Sequence, residues 1–342
     1  MQCITAHCVP MTRTERPVTI FVLGDANADL SAAVCRFPHE GDDIPVAALD
    51  WGSGGAGANV AAALALLGSP VRLLARVGHD PAAEVALRVA RAAGVDLGMV
   101  QRDKLMATGL CFAAISPGGE RTFLSFRGAN ACFDLAALGP APLEGARWLH
   151  IAGHALLEGP QRAAAYALAE DAARRSIPAS LDLCLPLVRA WRADVLALLP
   201  RFQVLFANEP ELAALLPGMA VETGLAWLLD HDARLVALKR GARGCVIATP
   251  GWRLARPAFS ITAIDSNGCG DAFVAGFIHA YTRGLSLEDC ATLGNAMGAL
   301  TTTRRGSAEA LPDLAEVRDF LAGHAGSAVV GRLLGDAERS NA

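Results

Sequence analysis

The sequence predicts an α/β protein with a mostly parallel sheet, helices on both faces of that sheet, and a small additional β-sheet. Strand-like apolar segments alternate with helix-like segments along most of the 342 residues, a pattern typical of parallel βαβ units. Hydrophobic residues make up 53% of the chain and charged residues only 19%, which suits a large buried core. A hairpin signal and an irregular segment interrupt the alternation, and they predict the additional sheet.

The alternation can be followed along the chain. We expect strands at residues 18–24, 71–77, 148–152, 179–183, 204–207 and 235–238, and helices at 57–67, 82–93, 160–175, 190–199, 223–230, 272–281 and 287–303. Gly68 and Gly94 directly follow the first two helices, where glycine commonly ends a helix. The regular order after residue 148 predicts neighbouring parallel strands.

The predicted hairpin consists of residues 108–115 and 120–127 around a Ser-Pro-Gly-Gly turn. Residues 31–49 also break the βα order, so we expect the two segments to share the small sheet. An isolated hairpin is only marginally stable in water. We therefore expect Phe112, Phe123 and Phe126 to form one apolar face that packs on a lid or on a second subunit.

Composition excludes several classes of protein. A net charge of −4 gives no basic surface for nucleic acid, and no apolar run is long enough to span a membrane. Residues 1–17 lack the apolar segment of a secretion signal and are expected to be a flexible extension, as are residues 325–342 at the other end. The nine cysteines form no C-x-x-C pair, which favours a reducing cytoplasmic location over a structural metal site.

The motif at residues 265–273 carries the strongest chemical signal. Gly268 and Gly270 stand where an extended segment at 260–264 gives way to an apolar helix, so backbone amides can turn toward an anion there. Asp271 lies in the first helical turn, where it could accept a proton from an incoming hydroxyl. The alternative is an ordinary glycine-rich turn with Asp271 as a common N-terminal helix residue.

A second glycine cluster occupies residues 52–59 and leads directly into a helix. Its letters satisfy G-x-G-x-x-G, the dinucleotide-binding fingerprint. However, about thirty residues separate it from the first strand, and the strand at 71–77 ends in Arg76-Val77 instead of an acidic residue. The context therefore favours a hydroxylated ligand that lies close to the backbone near Asn59.

Together these motifs resemble the ribokinase-like (PfkB) family of carbohydrate and nucleoside kinases. The resemblance covers residues 18–324. Four elements carry it: Gly54-Gly55-Ala56-Gly57-Ala58-Asn59, Asn208-Glu209-Pro210-Glu211, Lys239-Arg240-Gly241-Ala242-Arg243-Gly244, and Asp265-Ser266-Asn267-Gly268-Cys269-Gly270-Asp271-Ala272-Phe273. Their order and their strand-then-helix contexts match the family pattern.

The resemblance implies a three-layer α/β/α core with a small β-sheet lid from residues 31–49 and 107–130. It implies transfer of the γ-phosphate of ATP to a hydroxyl, with Mg²⁺ as cofactor and a monovalent cation such as K⁺ left open. Homodimers that form through the small sheet are common in the family. The implied catalytic residues are Asp271 as general base and Gly268, Cys269 and Gly270 as an anion hole formed by backbone amides.

The resemblance also assigns binding residues. The implied acceptor contacts are Asn27, Asp29, Gly54, Gly55, Asn59 and Arg127; the nucleotide contacts are Asn208, Lys239, Gly241, Gly244, Asn267 and Asn295; and the water-mediated Mg²⁺ ligands are Asn208 and Glu211. For Asn208 and Glu211 the alternative is a helix cap, for Asn295 plain packing, and for Arg127 a solvated cation at a strand end.

Departures from the family pattern leave the acceptor open. Cys269 and Ser266 replace the usual alanine and threonine, which is mild because the hole uses backbone amides. The ribose-contacting glutamate is absent, since the corresponding segment reads Ala152-Gly153-His154. The acceptor is therefore a sugar or a nucleoside. A non-catalytic sensor of the same fold is the further alternative, although a pure binding protein has no need of a base at Asp271.

Overall fold

The computed structural model describes residues 19–116 and 121–334. The predicted extension at 1–17, the turn residues 117–120 and residues 335–342 lie outside the described residues. The strands are β1 (Ile20–Leu23), β2 (Asn27–Val34), β3 (Val46–Gly54), β4 (Val71–Gly78), β5 (Val100–Asp103), β6 (Gly109–Ile115), β7 (Arg121–Phe126), β8 (Trp148–Ala152), β9 (Ala179–Asp182), β10 (Val204–Asn208), β11 (Val236–Lys239), β12 (Cys245–Thr249) and β13 (Trp252–Arg256).

The helices are α1 (Ala56–Leu66), α2 (Pro81–Ala92), α3 (Gly159–Arg174), α4 (Leu185–Leu198), α5 (Glu209–Leu215), α6 (Val221–Asp230), α7 (Cys269–Thr282), α8 (Leu287–Thr302), α9 (Leu314–Ala325) and α10 (Ser327–Leu334). None of these helices is long and apolar enough to cross a membrane.

A nine-stranded sheet forms the centre of the molecule, in the order β13-β12-β11-β10-β9-β8-β1-β4-β5. Its strands are parallel except for β12 and β13, which extend one edge in antiparallel orientation. The side chains of β1 alternate between two cores: Ile20 and Val22 pack toward α1, α2, α7 and α8, whereas Phe21 and Leu23 pack toward α3 to α6. The predicted three-layer architecture is confirmed.

The small sheet has the order β3-β2-β6-β7, so residues 31–49 and the hairpin do share it. The predicted apolar face of the hairpin is wrong in one position. Phe112 pairs with Leu124 and Phe126 with Leu110, which places these side chains on one face. Phe123 pairs with Ala113 and therefore points to the opposite face. Because the side-chain period is two, an odd spacing along one strand changes the face.

Other expectations also needed correction. Residues 260–264 form no strand, and the sequence reading missed β5, β12, β13 and helices α5 and α9. Residues 327–334 of the predicted C-terminal tail form α10. This helix buries Val330 and Leu333, and its Arg332 pairs with Asp289 at 2.9 Å.

Candidate active site

The site lies at the carboxyl ends of the parallel strands of the large sheet. Asp182 ends β9, Asn208 ends β10 and Lys239 ends β11. Asp25 follows β1, which pairs on one side with β4 and on the other with β8, so the strand order reverses there. Ligands of open α/β sheets bind at such switch points, where the connections diverge to opposite faces and leave a crevice.

The first turn of α7 presents backbone amides to this crevice. Gly268 is the N-cap residue in a left-handed conformation (φ 71°), and the first intrahelical bond runs from the Ala272 amide to the Gly268 carbonyl at 2.9 Å. The amides of Gly270 and Asp271 therefore have no intrahelical acceptor, as expected in a first turn. The Asn267 amide donates instead to Asp265 Oδ1 at 2.8 Å. The Cys269 amide donates to the Ser266 carbonyl at 3.5 Å, so of the predicted hole residues Gly268 and Gly270 keep amides free of this bond, and Asp271 adds a third.

Lys239 lies beside the same turn. A Cβ atom added to Gly270 would stand 3.6 Å from Lys239 Nζ, which places the ammonium next to the unpaired amides. Lys239 Nζ also pairs with Asp182 Oδ1 at 2.6 Å, a partner that the sequence did not suggest. The available signal was a carboxylate at the end of β9, two strands from β11 in the sheet. Amides, ammonium and helix dipole together favour an anionic group.

Asp271 is held by Asn59, which belongs to the other glycine-rich motif. Asn59 Nδ2 donates to Asp271 Oδ2 at 2.7 Å and to Ser307 Oγ at 2.9 Å. Burial raises the pKa of Asp271 to about 7 and the nearby Asp182 adds to the shift, while the Asn59 hydrogen bond and Lys239 oppose it. A carboxylate with a pKa near neutrality suits general-base chemistry.

Two buried oxygen atoms near Asp271 have no hydrogen-bond partner among the described residues: Asp29 Oδ1 and Asn59 Oδ1. Burial, together with the negative charges of Glu309 and Asp271, raises the pKa of Asp29 to about 7. Buried polar atoms are normally hydrogen-bonded. We therefore expect a ligand to donate hydrogen bonds to these two oxygens. Gly54 leaves room for the Asp29 carboxylate, because a Cβ there would lie 2.2 Å from Oδ2.

Asp29 also lines a cavity of about 640 Å³ between the small sheet and the loop after α8. Carboxylates dominate its polar lining, which includes Asp29, Asp50, Asp265, Glu309, Ser31, Asn267, Ser307 and Arg305. Glu309 fixes the loop by accepting from the Ser53 amide and from Arg88, both at 2.7 Å. The sequence reading missed Ser307 and Glu309, because their proximity to the glycine motifs depends on long-range packing.

Asn27 and Arg127 belong to one network at the start of the small sheet. Asn27 Oδ1 accepts from Asn130 Nδ2 at 2.8 Å. Arg127 donates twice to Asp25, at 2.9 and 3.3 Å, and also to Gln161. Arg127 is thus not a solvated strand-end cation: its buried Nη1 atom forms no hydrogen bond in the described part of the chain, but it lies 3.6 Å from Glu158 Oε1 in an ion pair. The sequence reading missed the roles of Asp25, Asn130 and Gln161.

Asn208 and Glu211 form a complete capping box at the start of α5. The Asn208 amide donates to Glu211 Oε2 at 2.8 Å, and the Glu211 amide donates to Asn208 Oδ1 at 2.9 Å. The helix cap, which was the alternative role for Asn208 and Glu211, is therefore present in the structure. Burial nevertheless raises the pKa of Glu211, with Asp182 adding to the shift and Lys239 opposing it. The cap engages Oε2, so the carboxylate keeps its second oxygen for another contact.

The remaining predicted nucleotide residues lie around β11, β12 and α8. Gly241 begins the short turn Gly241–Arg243, and Gly244 adopts φ 83° where a Cβ would meet the Arg256 carbonyl at 2.0 Å. Asn295 Nδ2 donates to the Pro257 carbonyl at 3.0 Å. Gly244 and Asn295 thus hold the end of β13, which is the packing role left open for Asn295.

Comparison with known proteins decides the family. The model of the pfkB family carbohydrate kinases matches residues 19–314. The chain belongs to this family. It is therefore a phosphotransferase that acts on a sugar hydroxyl, and the fold is ribokinase-like. β3, which precedes the glycine cluster, is an antiparallel strand of the small sheet, so the dinucleotide-binding context is absent.

Among the relatives of this kinase, an ATP-dependent ribose-1-phosphate kinase from Halopiger xanaduensis is 34% identical over 304 residues, which cover 89% of this chain and 98% of the relative. Fructokinase-2 from Zea mays is 28% identical and covers 79% of this chain and 85% of its own. A ribokinase structure from Arabidopsis thaliana with ribose and ATP superimposes with a TM-score of 0.78 at 24% identity, covering 89% of this chain and 98% of that chain.

Proposed function

We propose that this kinase transfers the γ-phosphate of ATP to a sugar hydroxyl, with Asp271 as general base. The hydrogen bond from Asn59 to Asp271 carries the proposal, because it joins two motifs that lie 212 residues apart in sequence. It brings the base, the unpaired amides of α7 and the two unpartnered oxygens of Asp29 and Asn59 into one crevice. The sugar hydroxyl would give its proton to Asp271 as its oxygen attacks phosphorus.

The donor side of the crevice fits a triphosphate. The amides of Gly268, Gly270 and Asp271 and the Lys239 ammonium would stabilise negative charge on the transferring group. Phosphoryl transfer depends mainly on positioning and electrostatics, so these groups and a base suffice as protein machinery. Asp182 Oδ1 lies 2.6 Å from Lys239 Nζ, and this ion pair would orient the ammonium before the nucleotide binds.

Magnesium fits next to Glu211, since a buried carboxylate with a raised pKa gains from a nearby divalent cation. Asn208 and Glu211 would contact the ion through water. When bound, Mg²⁺ neutralises charge on the phosphates.

We expect Asn208→Ala to raise the Mg²⁺ concentration for half-maximal activity by about tenfold, because it frees Glu211 from its fixed orientation. The measurement is a Mg²⁺ titration of turnover, with K⁺ or Na⁺ as the monovalent cation. Asp313→Ala is the matched control, because Asp313 and Glu316 form the same capping box on α9. Both variants should lose about 1 kcal/mol of stability. An unchanged Mg²⁺ titration in Asn208→Ala would show that the residue is only a cap.

The acceptor side fits a compound rich in hydroxyl groups. Asp29 Oδ1 and Asn59 Oδ1 would accept hydrogen bonds from sugar hydroxyls, and Asn27 would lie beside them. Gly54 leaves room for the Asp29 carboxylate, and Gly55, at a positive φ of 90°, packs against the Asp25 carbonyl, so the two glycines would act by positioning the acceptor groups. The acidic lining of the cavity favours neutral groups next to Asp29.

A phosphorylated sugar is the second candidate, and Arg127 favours it. The buried Nη1 of Arg127 forms no hydrogen bond in the described chain and has only the exposed Glu158 at 3.6 Å, for which a phosphate could substitute; His154 also stands in place of the expected glutamate. The ribose-1-phosphate kinase relative points to the same class of acceptor.

An ADP-release assay with ribose, fructose, ribose 1-phosphate and adenosine tests these candidates. If a sugar phosphate is the acceptor, Arg127→Gln should lower kcat/KM for it by at least about tenfold more than for the neutral sugar, since a charge-assisted hydrogen bond is lost. Arg305→Gln is the control for a general effect of charge in the cavity. Turnover of adenosine alone would instead identify a nucleoside kinase. Binding of an acceptor without any turnover would support the sensor alternative.

The small sheet would close over the acceptor and also join two subunits. Its outer face exposes Trp51, Leu124 and Phe126, at 47%, 59% and 50% of their surface, and an apolar face of this kind usually has a partner. The opposite face carries Asp29 and Phe123. One sheet could therefore serve both the site and a homodimer.

We expect Phe126→Glu to convert a dimer into monomers in analytical ultracentrifugation, because it buries a charge in the interface. Phe123→Glu, on the opposite face of the same strand, should remain dimeric. If the hairpin is also a lid, acceptor binding should slow hydrogen exchange in β6 and β7. Dissociation of both variants, or of neither, would contradict the assignment of the outer face.

A further inference from the structure

A second cleft opens at the amino edge of the large sheet, opposite the proposed catalytic site. Its volume is about 640 Å³. It is lined by Ala146, Arg147, Ala173, Arg175, Ser176, Ile177, Pro178, Ala179, Pro200, Arg201, Gln203, Arg234 and Tyr281. Strands β8 to β11 are four or five residues long, so about 15 Å of sheet separates this cleft from the catalytic edge.

Four arginines reach the cleft from four separate connections. Arg147 directly precedes β8, Arg175 is the C-cap residue of α3, Arg201 precedes β10 and Arg234 precedes β11. Because parallel strands begin at the same edge, these connections converge there. The lining contains no carboxylate, although the whole chain has a net charge of −4. The cavity that contains Asp29 has the opposite balance of charged residues in its lining, with four carboxylates and one arginine.

Two of these guanidinium groups are not neutralised by the protein. Arg175 pairs with Asp171 at 2.9 Å, and Arg201 pairs with Glu170 at 3.3 Å. Arg147 has no ion pair within residues 19–116 and 121–334, and neither has Arg234, whose Nη2 only reaches the Pro200 carbonyl at 3.4 Å. Four cations around one cleft repel each other, and a multiply charged anion would relieve that repulsion.

The floor of the cleft is neutral. It is formed by Ile177, Pro178 and alanine side chains, and Gln203 Nε2 donates to the Tyr281 hydroxyl at 3.1 Å. A neutral floor with a cationic rim matches a small molecule that combines an uncharged body with phosphate groups. The volume lies in the range of small-molecule sites, which is roughly 300–1,000 Å³. Arginine also offers the forked geometry that binds phosphate oxygens in pairs.

We propose that this arginine cleft binds a small organic phosphate at a site separate from the catalytic edge. Arg147 and Arg234 provide the two free guanidinium groups, and Arg175 and Arg201 add partly neutralised charge. The proposal does not depend on which sugar the kinase phosphorylates, because the cleft shares no residue with the proposed active site.

Calorimetric titration with inorganic pyrophosphate tests the proposal. The full chain is titrated in saturating ADP and Mg²⁺, which occupy the catalytic edge. Wild type should bind one equivalent, and the double variant Arg147→Gln/Arg234→Gln should bind at least about tenfold more weakly, since two charge-assisted contacts are lost. Arg189→Gln removes one exposed charge on α4 outside the cleft; it is the control for a general effect of surface charge and should bind as wild type does.

Both substituted arginines are exposed, so equal melting temperatures should confirm intact folds. Lys239→Gln provides the second control, because it alters the catalytic edge and should leave pyrophosphate binding in the cleft unchanged. Absence of binding to wild type, or equal affinity in the double variant, would overturn the proposal. Loss of binding in Lys239→Gln but not in the double variant would also overturn it, since the pyrophosphate would then occupy the catalytic edge.

Discussion

Replacement of Asp271 by asparagine is expected to lower kcat by about 10² to 10⁴-fold and to leave nucleotide affinity nearly unchanged. The amide is isosteric with the carboxylate, and its oxygen can still accept the hydrogen bond from Asn59 that Asp271 Oδ2 accepts at 2.7 Å. The geometry of the α7 turn should therefore survive while the proton acceptor is lost. Lys239, the cation beside this turn, is held by Asp182 and is no substitute base.

The measurement combines steady-state kinetics with a nucleotide titration of the folded variant. Asp319→Asn is the matched control, because Asp319 is an exposed carboxylate on α9 away from the crevice, and this variant should keep full activity. Turnover above about a third of the wild-type value in Asp271→Asn would remove Asp271 from the role of general base.

The geometry of the turn at the start of α7 could be predicted from sequence because it is local. The spacing of Gly268, Gly270 and Asp271 at a helix start determines which amides are free and where the carboxylate stands. The same reasoning found Asn59, and the structure joins it to Asp271. The alternation of strands and helices likewise predicted the layers of the fold, since buried parallel strands are continuous apolar runs.

The supporting residues could not be predicted because they depend on three-dimensional proximity. Asp25 and Gln161 lie 102 and 34 positions from Arg127 in sequence, yet both hydrogen-bond to its guanidinium group. Glu309 reaches Ser53 across 256 positions. Phe123 was assigned to the wrong face because it was grouped with Phe126, although an odd spacing of three residues along one strand places the two side chains on opposite faces. α10 was missed because a short helix at the end of a chain is stabilised by packing more than by its own propensity.

The pH dependence of the reaction should show the raised pKa of Asp271 directly. A general base must be deprotonated, and burial raises the pKa of Asp271 to about 7. We therefore expect kcat/KM for the acceptor to fall about tenfold per pH unit below 7, to about 1% of its plateau at pH 5. Asp29 also has a pKa of about 7, and its ionised form would bind the acceptor hydroxyls, so it can steepen the acidic limb.

The Asp29→Asn variant separates the two carboxyl groups. It should weaken acceptor binding yet keep an acidic limb of unit slope in kcat, since Asp271 still titrates in the complex. Protonation of Asp271 and Asp29 does not itself destabilise the fold. A carboxyl group whose pKa is raised by folding binds its proton more tightly in the native state, so its contribution to stability increases as the pH falls from 7 toward 4. The melting temperature at pH 6 therefore checks the fold independently of activity. A kcat profile of Asp29→Asn that is flat between pH 5 and 8 would contradict Asp271 as the titrating base.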